Sequence, residues 1–331
     1  MRIAFLGAGA WGTALAKHAS GQHSVMLVAR DADQARAISS SRQNQRYLPG
    51  VAIAANILVS ANIDEALNWL NAQAGSLIVI SSALSGLVPI LEQIRLAGDI
   101  PNGLIWLCKG LLSAQLPSVV VANKLPQLAS APLFGPSFAL EVAQGLPAAL
   151  TVATLDDRLA ALAVEAFHHG AIRVYRSDDV VGVELGGALK NVIAIATGIC
   201  DGLALGTNAR AALVTRGLAE MARLGLAMGA HNATFMGLTG LGDLVLTSTG
   251  DLSRNRRVGL QLACGKHLDD ILPALGHVAE GVSTVTQACA LARRHRVDMP
   301  ICEAVEAVLN ARLSPRDAVS ALLAREPKRE N

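Results

Sequence analysis

The apolar run IAFLG leads straight into GAGAWG, which sets Gly7, Gly9 and Gly12 at GxGxxG spacing just ahead of a helical pattern. In such a loop the first glycine permits a tight turn, and the second lets backbone approach a pyrophosphate. The third allows close helix–strand packing, while the helix N-terminus presents unpaired N–H groups to the anion. The spacing alone is a weak signal. A strand, this loop and a helix in immediate succession, beginning at residue 3, commit the chain to a βαβ start and a mostly parallel sheet covered on both faces.

The rest of the first half continues that alternation. Strands are expected at Arg2–Gly7, Ser24–Ala29, Leu77–Ser81, Leu104–Cys108, Pro132–Phe134, Ala148–Ala153 and Ile172–Arg176. Between several of them lie helical patterns, at Trp11–Ser20, Asp31–Ser40, Asn62–Leu70 and Asp156–His169. After Ser177 the texture changes to Ala/Leu/Gly-rich helical patterns over Val180–Ile199, Asn208–Met228, Ser283–His295, Ile301–Leu309 and Pro315–Ala324. With 331 residues, more than one core usually organises, two domains are expected. The fold class is α/β: a Rossmann-like, doubly wound domain over 1–177, followed by an all-helical domain over 178–331. The charged tail REPKREN is expected to fray.

Composition removes several function classes. Apolar residues make up 52% and charged residues 16%, which excludes a disordered chain. Aromatics at 3% leave few rings for stacking bases, and a net charge of +2 gives no general attraction to polyanions, so no nucleic-acid partner is expected. The cysteines Cys108, Cys200, Cys264, Cys289 and Cys302 are scattered, without a CxxC pair or a His/Cys cluster, so no metal and no disulfide frame are expected. The start lacks the pattern of a signal peptide. The uncharged run Ala66–Leu91 is long enough to span a bilayer, but its Asn, Gln, Gly, Ser and Pro residues read as buried strand and helix. A cytoplasmic protein with no membrane insertion is expected. No GxSxG elbow marks a serine hydrolase.

Candidate chemistry falls at a few places. The second strand ends at Arg30, whose planar guanidinium suits a ribose 2′-phosphate and so NADP, although a solvated strand end is an alternative. The following Asp31 could cap the next helix. Lys190 and Asn191 sit inside an apolar helical pattern. A lysine there has a readily lowered pKa and suits general acid/base work, against the plainer view of a side chain that snorkels to water. In GLTGLGDLVLTSTGDLSRNRR, Asp243 could orient or charge-pair the lysine, while Thr247, Arg254 and Asn255 could grip a phosphate. Lys109 follows a strand directly, at the end where doubly wound sheets bind ligands, and Gly135 and Ser137 open a segment that turns helical.

Assembled, these residues resemble the bacterial NAD(P)-dependent glycerol-3-phosphate dehydrogenases. The resemblance covers GAGAWGTALA, NQRYLPG, KGL, GPSFALEVAQGLP, GVELGGALKNVIAIATGICDGLALGTNARAAL, GLTGLGDL, LSRNRR and EGVSTV, in one order. It implies reversible reduction of dihydroxyacetone phosphate with NADPH or NADH, in a cytoplasmic homodimer feeding phospholipid synthesis. By resemblance, Lys190 is the proton donor and acceptor. Lys109, Gly135, Ser137, Asp243, Ser253, Arg254 and Asn255 fall at substrate positions, and Asn191 and Thr247 join them as substrate candidates on the sequence pattern alone. Trp11, Arg30, Ala139, Val278 and Glu280 fall at cofactor positions beside the loop, with Lys109 and Arg254 close to both. Two departures stand out. Ala10 replaces a serine common in relatives, removing a hydroxyl but keeping the backbone donor, and Ser81–Ser82–Ala83 replaces a V-P-S segment, which is expected to loosen the wall beside the cofactor. A dehydrogenase of another small hydroxy acid on the same plan, or a sensor that holds NADP(H) without turnover, are the competing readings.

Overall fold

The computed structural model describes residues 1–71, 75–98, 102–276 and 278–325. The chain forms two compact units, Met1–Lys109 with Leu116–Glu184, and Gly110–Gln115 with Leu185–Asn331.

The first unit carries strands β1 (Arg2–Leu6), β2 (Ser24–Val28), β3 (Gln43–Asn44), β4 (Leu48–Ala52) and β5 (Leu58–Ser60). It continues with β6 (Ser76–Ile80), β7 (Leu104–Trp106), β8 (Ser130–Phe134), β9 (Ala148–Ala153) and β10 (Ile172–Ser177). Among the described residues the main sheet runs β10-β9-β8-β7-β6-β1-β2-β5. Every pairing in it is parallel except β8 with β9. From the central β1 the chain moves to β2 and β5 on one side, then returns to β6 on the other. That reversal opens a crevice at the carboxyl ends of β1 and β6, where sheets of this kind bind ligands. All five residues of β6 are buried, as are the last four of β1, as expected of strands with helices on both faces.

Each strand read from the sequence lies in this sheet. The edge strand β5 and the antiparallel pair β3–β4 were not anticipated. β5 has only three residues and takes its register from β2, with Leu27 opposite Val59. β4 contains Pro49 and Gly50, residues disfavoured inside a strand. The uncharged run from Ala66 is shared among the helix Ile63–Asn71, β6 and the helix Leu87–Ala97, and its residues 72–74 lie outside the described residues. The tail beyond Arg325 lies outside them as well.

Three histidines gather at the C-terminal end of the helix Asp157–Phe167. His18 Nε2 lies 3.0 Å from the Phe167 carbonyl oxygen and His23 Nε2 lies 3.0 Å from that of Glu165, so each ring nitrogen donates. The His18 and His169 rings stack at 4.0 Å and 9°. Burial, and then the neighbouring His169, lower the His18 pKa from 6.5 to about 4. The unfolded chain therefore binds the extra proton between these two values. The stabilisation is complete above pH 6.5 and is lost as pH falls toward 4. Allowing for solvent screening, about 1 kcal/mol is at stake, which shifts Tm by roughly 2–4 °C. Thermal melts across this window are expected to show that loss, and His18→Gln, which keeps a donor for Phe167, is expected to flatten it. An equally steep profile in the variant would place the dependence elsewhere.

The second unit is helical. Among its described residues the only β-structure is an isolated bridge, Leu112 with Gln115. Strands end at Ser177, where the change of texture was expected, but the compact division falls between Glu184 and Leu185, inside the helix Val180–Gly202. Glu184 explains the difference. Its carboxylate accepts the Ser118 N–H at 3.0 Å and the Ser118 hydroxyl, so the first helical turn belongs with the first unit. Burial pushes the Glu184 pKa up to about 8. The segment 110–115 joins the second unit because Ala114 N–H donates to Gln287 Oε1 at 2.6 Å. The helix Val180–Gly202 is long and apolar enough to cross a membrane, and it is buried inside the protein. It packs backbone to backbone on the helix Arg254–Ala263: a Cβ at Gly198 would lie 2.0 Å from the Arg256 carbonyl oxygen, and one at Gly259 2.1 Å from that of Ile195.

Candidate active site

In the first unit the glycine loop has the shape its spacing requires. Gly7 takes φ +126°, and a Cβ there would lie 2.5 Å from the Ser82 backbone nitrogen. Gly9 is the N-cap of the helix Ala10–Ala19, and no side chain caps that end. The first helical bond runs from Thr13 N–H to Gly9 O at 2.9 Å, which leaves the N–H groups of Ala10, Trp11 and Gly12 directed at an anion site. A Cβ on Gly9 would meet only the Ser81 carbonyl oxygen, at 3.7 Å, so this face of the loop is an open cradle that fits a pyrophosphate.

The loop is fixed from behind by groups that its own sequence does not contain. Asn44 Nδ2 donates to Ala8 O at 2.9 Å and to Thr13 Oγ1 at 2.8 Å, and Gln34 Nε2 adds a bond to Ala8 O at 3.0 Å. Ser81 Oγ donates to Gly7 O at 2.7 Å. Where a missing proline was expected to loosen this wall, the serine ties β6 to the loop. The signal for Asn44 was present in the block NQRYLPG, but its role depends on a partner far away in the chain.

A groove of about 1140 Å³ extends from the loop within the first unit, lined by Gly7, Arg30, Asn62 and Gly86 among others. Arg30 is exposed at the end of β2 and makes no hydrogen bond or ion pair among the described residues. Asp31 is the N-cap of the helix Ala32–Ser41, accepting from Gln34 N–H at 2.7 Å, so its carboxylate is engaged by backbone. Past the ends of β7 and β8, Lys109 Nζ lies 3.4 Å from Gly135 O and 5.3 Å from the centre of the Phe134 ring. Gly135 is packed against β9, where a Cβ would lie 2.3 Å from Ala149 O. Ser137 Oγ donates to Gly135 O at 3.2 Å, and Ala139 begins the short helix Ala139–Ala143.

The second unit brings together residues far apart in the chain, Lys190 with Thr247 57 positions away and Asn191 with Asn255 64 positions away. Lys190 is 7% exposed, Asp243 1% and Thr247 5%. The Lys190 ammonium donates to Asp243 Oδ1 and, at 2.9 Å, to Thr247 Oγ1. Thr247 in turn donates to Asp243 O at 2.6 Å. The Thr247 hydroxyl thus accepts from the lysine and donates to backbone, and holds the lysine in place. Next to this group, Asn255 Nδ2 donates to Asn191 Oδ1 at 2.9 Å, and Gly281 N–H donates to Asn255 Oδ1 at 3.0 Å. That last bond brings the start of the helix Glu280–His295, and with it the neighbouring Glu280, beside Asn255. Val278, two residues earlier, is 54% exposed.

The LSRNRR segment separates into distinct roles. Ser253 is the N-cap of the helix Arg254–Ala263, accepting from Arg256 N–H at 3.2 Å. Arg256 is held by Asp201, with Nε to Oδ2 at 2.9 Å, and by Asp251 at 3.0 Å. Arg254 is exposed at the first helical position, beside the locked Asn255, with no hydrogen bond or ion pair among the described residues. Among the described residues no cluster of His, Cys, Asp and Glu is arranged to hold a metal ion.

Comparison with known proteins gives this arrangement its family. Residues 2–160 match the family model for the NAD-dependent glycerol-3-phosphate dehydrogenase N-terminus, and residues 179–320 match that for the C-terminus. The chain is 54% identical over 333 residues to a glycerol-3-phosphate dehydrogenase (NAD(P)+) of Burkholderia cenocepacia, covering 100% of both chains. A protein of the same name from Ralstonia nicotianae is also 54% identical, with 100% of this chain and 99% of the relative covered. The crystal structure of glycerol-3-phosphate dehydrogenase from Coxiella burnetii superposes with a TM-score of 0.93 at 39% identity, covering 98% of this chain and 99% of that one. A glycine-loop sheet and a helical unit with a buried lysine, each matched by its own half of the family, place this chain in the NAD-dependent glycerol-3-phosphate dehydrogenase family of oxidoreductases.

Proposed function

We propose that the protein reversibly reduces dihydroxyacetone phosphate to sn-glycerol 3-phosphate with NADPH or NADH, supplying glycerol 3-phosphate for phospholipid synthesis. The observation that carries this reading is the Lys190 ammonium, buried yet held by Asp243 and Thr247 next to the Asn191–Asn255 pair. Gly9, Ala10, Trp11 and Gly12 would hold the cofactor pyrophosphate through backbone, with Arg30 at the adenosine end. Bound there, the nicotinamide cofactor supplies the hydride. Lys190 donates a proton to the ketone oxygen as negative charge grows on it, and takes the proton back in the reverse direction. Asp243 accepts a hydrogen bond from the ammonium and aims it. Arg254 and the remaining amide N–H of Asn255 receive the phosphate, so binding energy remote from the carbonyl aligns it for reaction. Lys109, Gly135 and Ser137 remain substrate positions by resemblance alone.

The test is oxidation of reduced cofactor on adding dihydroxyacetone phosphate, run in parallel with NADPH and NADH. Rapid oxidation is expected, and a folded, cofactor-binding protein without a rate would overturn the reading. In the same assay Arg30→Asp is expected to move the NADPH/NADH ratio of kcat/KM about tenfold or more toward NADH, the scale of one hydrogen bond to a charged group. An unmoved ratio would make Arg30 a solvated strand end.

We also infer that the enzyme works in the cytoplasm as a homodimer. All five cysteines are free, which suits a reducing compartment, and the dimer follows the family resemblance.

A further inference from the structure

A second cavity, of about 810 Å³, lies wholly within the helical unit and involves none of the residues assigned to the reaction. Its volume falls in the range of small-molecule sites, roughly 300–1,000 Å³. One wall is a single face of the helix Gly206–Ala227, where Ala209, Leu213, Arg216, Glu220 and Arg223 follow at helical spacing. Ala209 to Arg223 spans about 21 Å at 1.5 Å per residue. The first half of this face is apolar and the second half is charged. Opposite it stand Val305 and Val308 of the helix Pro300–Leu309 and Val319 and Leu322 of the helix Pro315–Leu323. Leu205 and Leu323, at the edge, are 42% and 80% exposed.

The charges facing the cavity are unequal. Asp298 is matched by Arg325, with Nη2 to Oδ2 at 2.7 Å, while Arg223 donates to the Asp298 carbonyl oxygen at 3.0 Å. The Glu220 carboxyl is spent on the start of the helix Pro300–Leu309, accepting Ile301 N–H at 2.7 Å and Cys302 N–H at 3.2 Å. Burial pushes its pKa up to about 7, which weakens its negative charge at neutral pH. The side chains of Arg216 and Arg296 make no hydrogen bond or ion pair among the described residues. The cavity thus pairs an apolar trough with an excess of unmatched cations.

We propose that this cavity binds a monomeric long-chain fatty carboxylate, its alkyl chain along Ala209, Leu213, Val305 and Leu322 and its carboxylate on the unmatched arginines. The planar guanidinium fork suits a carboxylate, and an unbranched chain suits a trough that runs along one helix. The inference rests on the second unit alone and does not depend on the proposed reaction.

Isothermal titration of the whole protein with dodecanoate, held below its micelle concentration, tests it. Dodecanoate is expected to bind with about one site per chain, and dodecylammonium at least about tenfold more weakly, because an ammonium head meets arginines instead of a counter-charge. Arg216→Glu, a surface change with no partner to lose, is expected to weaken dodecanoate about tenfold or more, and Ala212→Trp, which fills the trough, to abolish binding. Both variants are expected to keep their turnover of dihydroxyacetone phosphate. Absence of dodecanoate binding, equal binding of the ammonium, or binding unchanged by both variants would overturn the proposal. So would conversion of a wild-type dimer to monomer by Ala212→Trp in sedimentation, which would mean that a second copy of the chain fills the trough.

Discussion

Lys190→Ala is expected to lower turnover of dihydroxyacetone phosphate at least ~10²-fold, the low end for general acid/base catalysis, while cofactor affinity stays nearly unchanged. The two readouts separate because the loop that would hold the pyrophosphate, at Gly9 to Gly12, is built in the other compact unit and braced by Asn44, Gln34 and Ser81. The substitution also takes the ammonium away from the buried Asp243 carboxylate, which is 1% exposed. Leaving one member of a buried pair unmatched costs about 3–5 kcal/mol, so a thermal melt belongs beside the rate measurement. Lys190→Ala/Asp243→Ala removes both members of the pair and is expected to recover much of the stability and none of the turnover. A stable double variant that regained activity would show that Lys190 acts only through folding. Unchanged turnover in Lys190→Ala would remove its proton-transfer role outright. A wild-type protein that binds NADPH yet turns over no ketone would favour a sensor.

How far the sequence exposes this site depends on how local each feature is. The glycine loop is legible because turn, close approach and helix start fall within six residues, and each has a residue-level signature. The sheet strands are legible because burial on both faces leaves continuous apolar runs such as SLIVI. β5 escapes because its three residues hold their place through β2 and carry little pattern of their own. The brace of Asn44 on Ala8 and Thr13 spans more than thirty positions, and no local pattern announces it. Lys190 and Asp243 could be named as candidates for a pair, but the bond from the lysine to Thr247, 57 positions away, shows only in the fold. The three arginines of LSRNRR are equivalent in sequence. Asp201, 55 positions from Arg256, sets that arginine apart from Arg254 and Arg257 by engaging its guanidinium.

Arg254→Ala accordingly is expected to act on KM more than on kcat. Arg254 is the first residue of its helix, next to the Ser253 cap, where unpaired backbone N–H groups and the helix dipole already favour an anion. Its guanidinium adds a charge-assisted contact, whereas that of Arg256 is spent internally on Asp201 and Asp251. A hydrogen bond to a charged group is worth about 1.5–3 kcal/mol, so KM for dihydroxyacetone phosphate should rise roughly 10- to 100-fold. Stability should hardly change, because an exposed side chain without a partner leaves nothing stranded. Unphosphorylated dihydroxyacetone supplies the control. With no phosphate to receive, its kcat/KM should be almost the same in the variant and the parent protein, and inorganic phosphate should inhibit the parent more strongly than the variant. If Arg254→Ala damages both substrates equally, the arginine does not clamp the phosphate, and the contact must be sought at Lys109 or at the helix N-terminus itself.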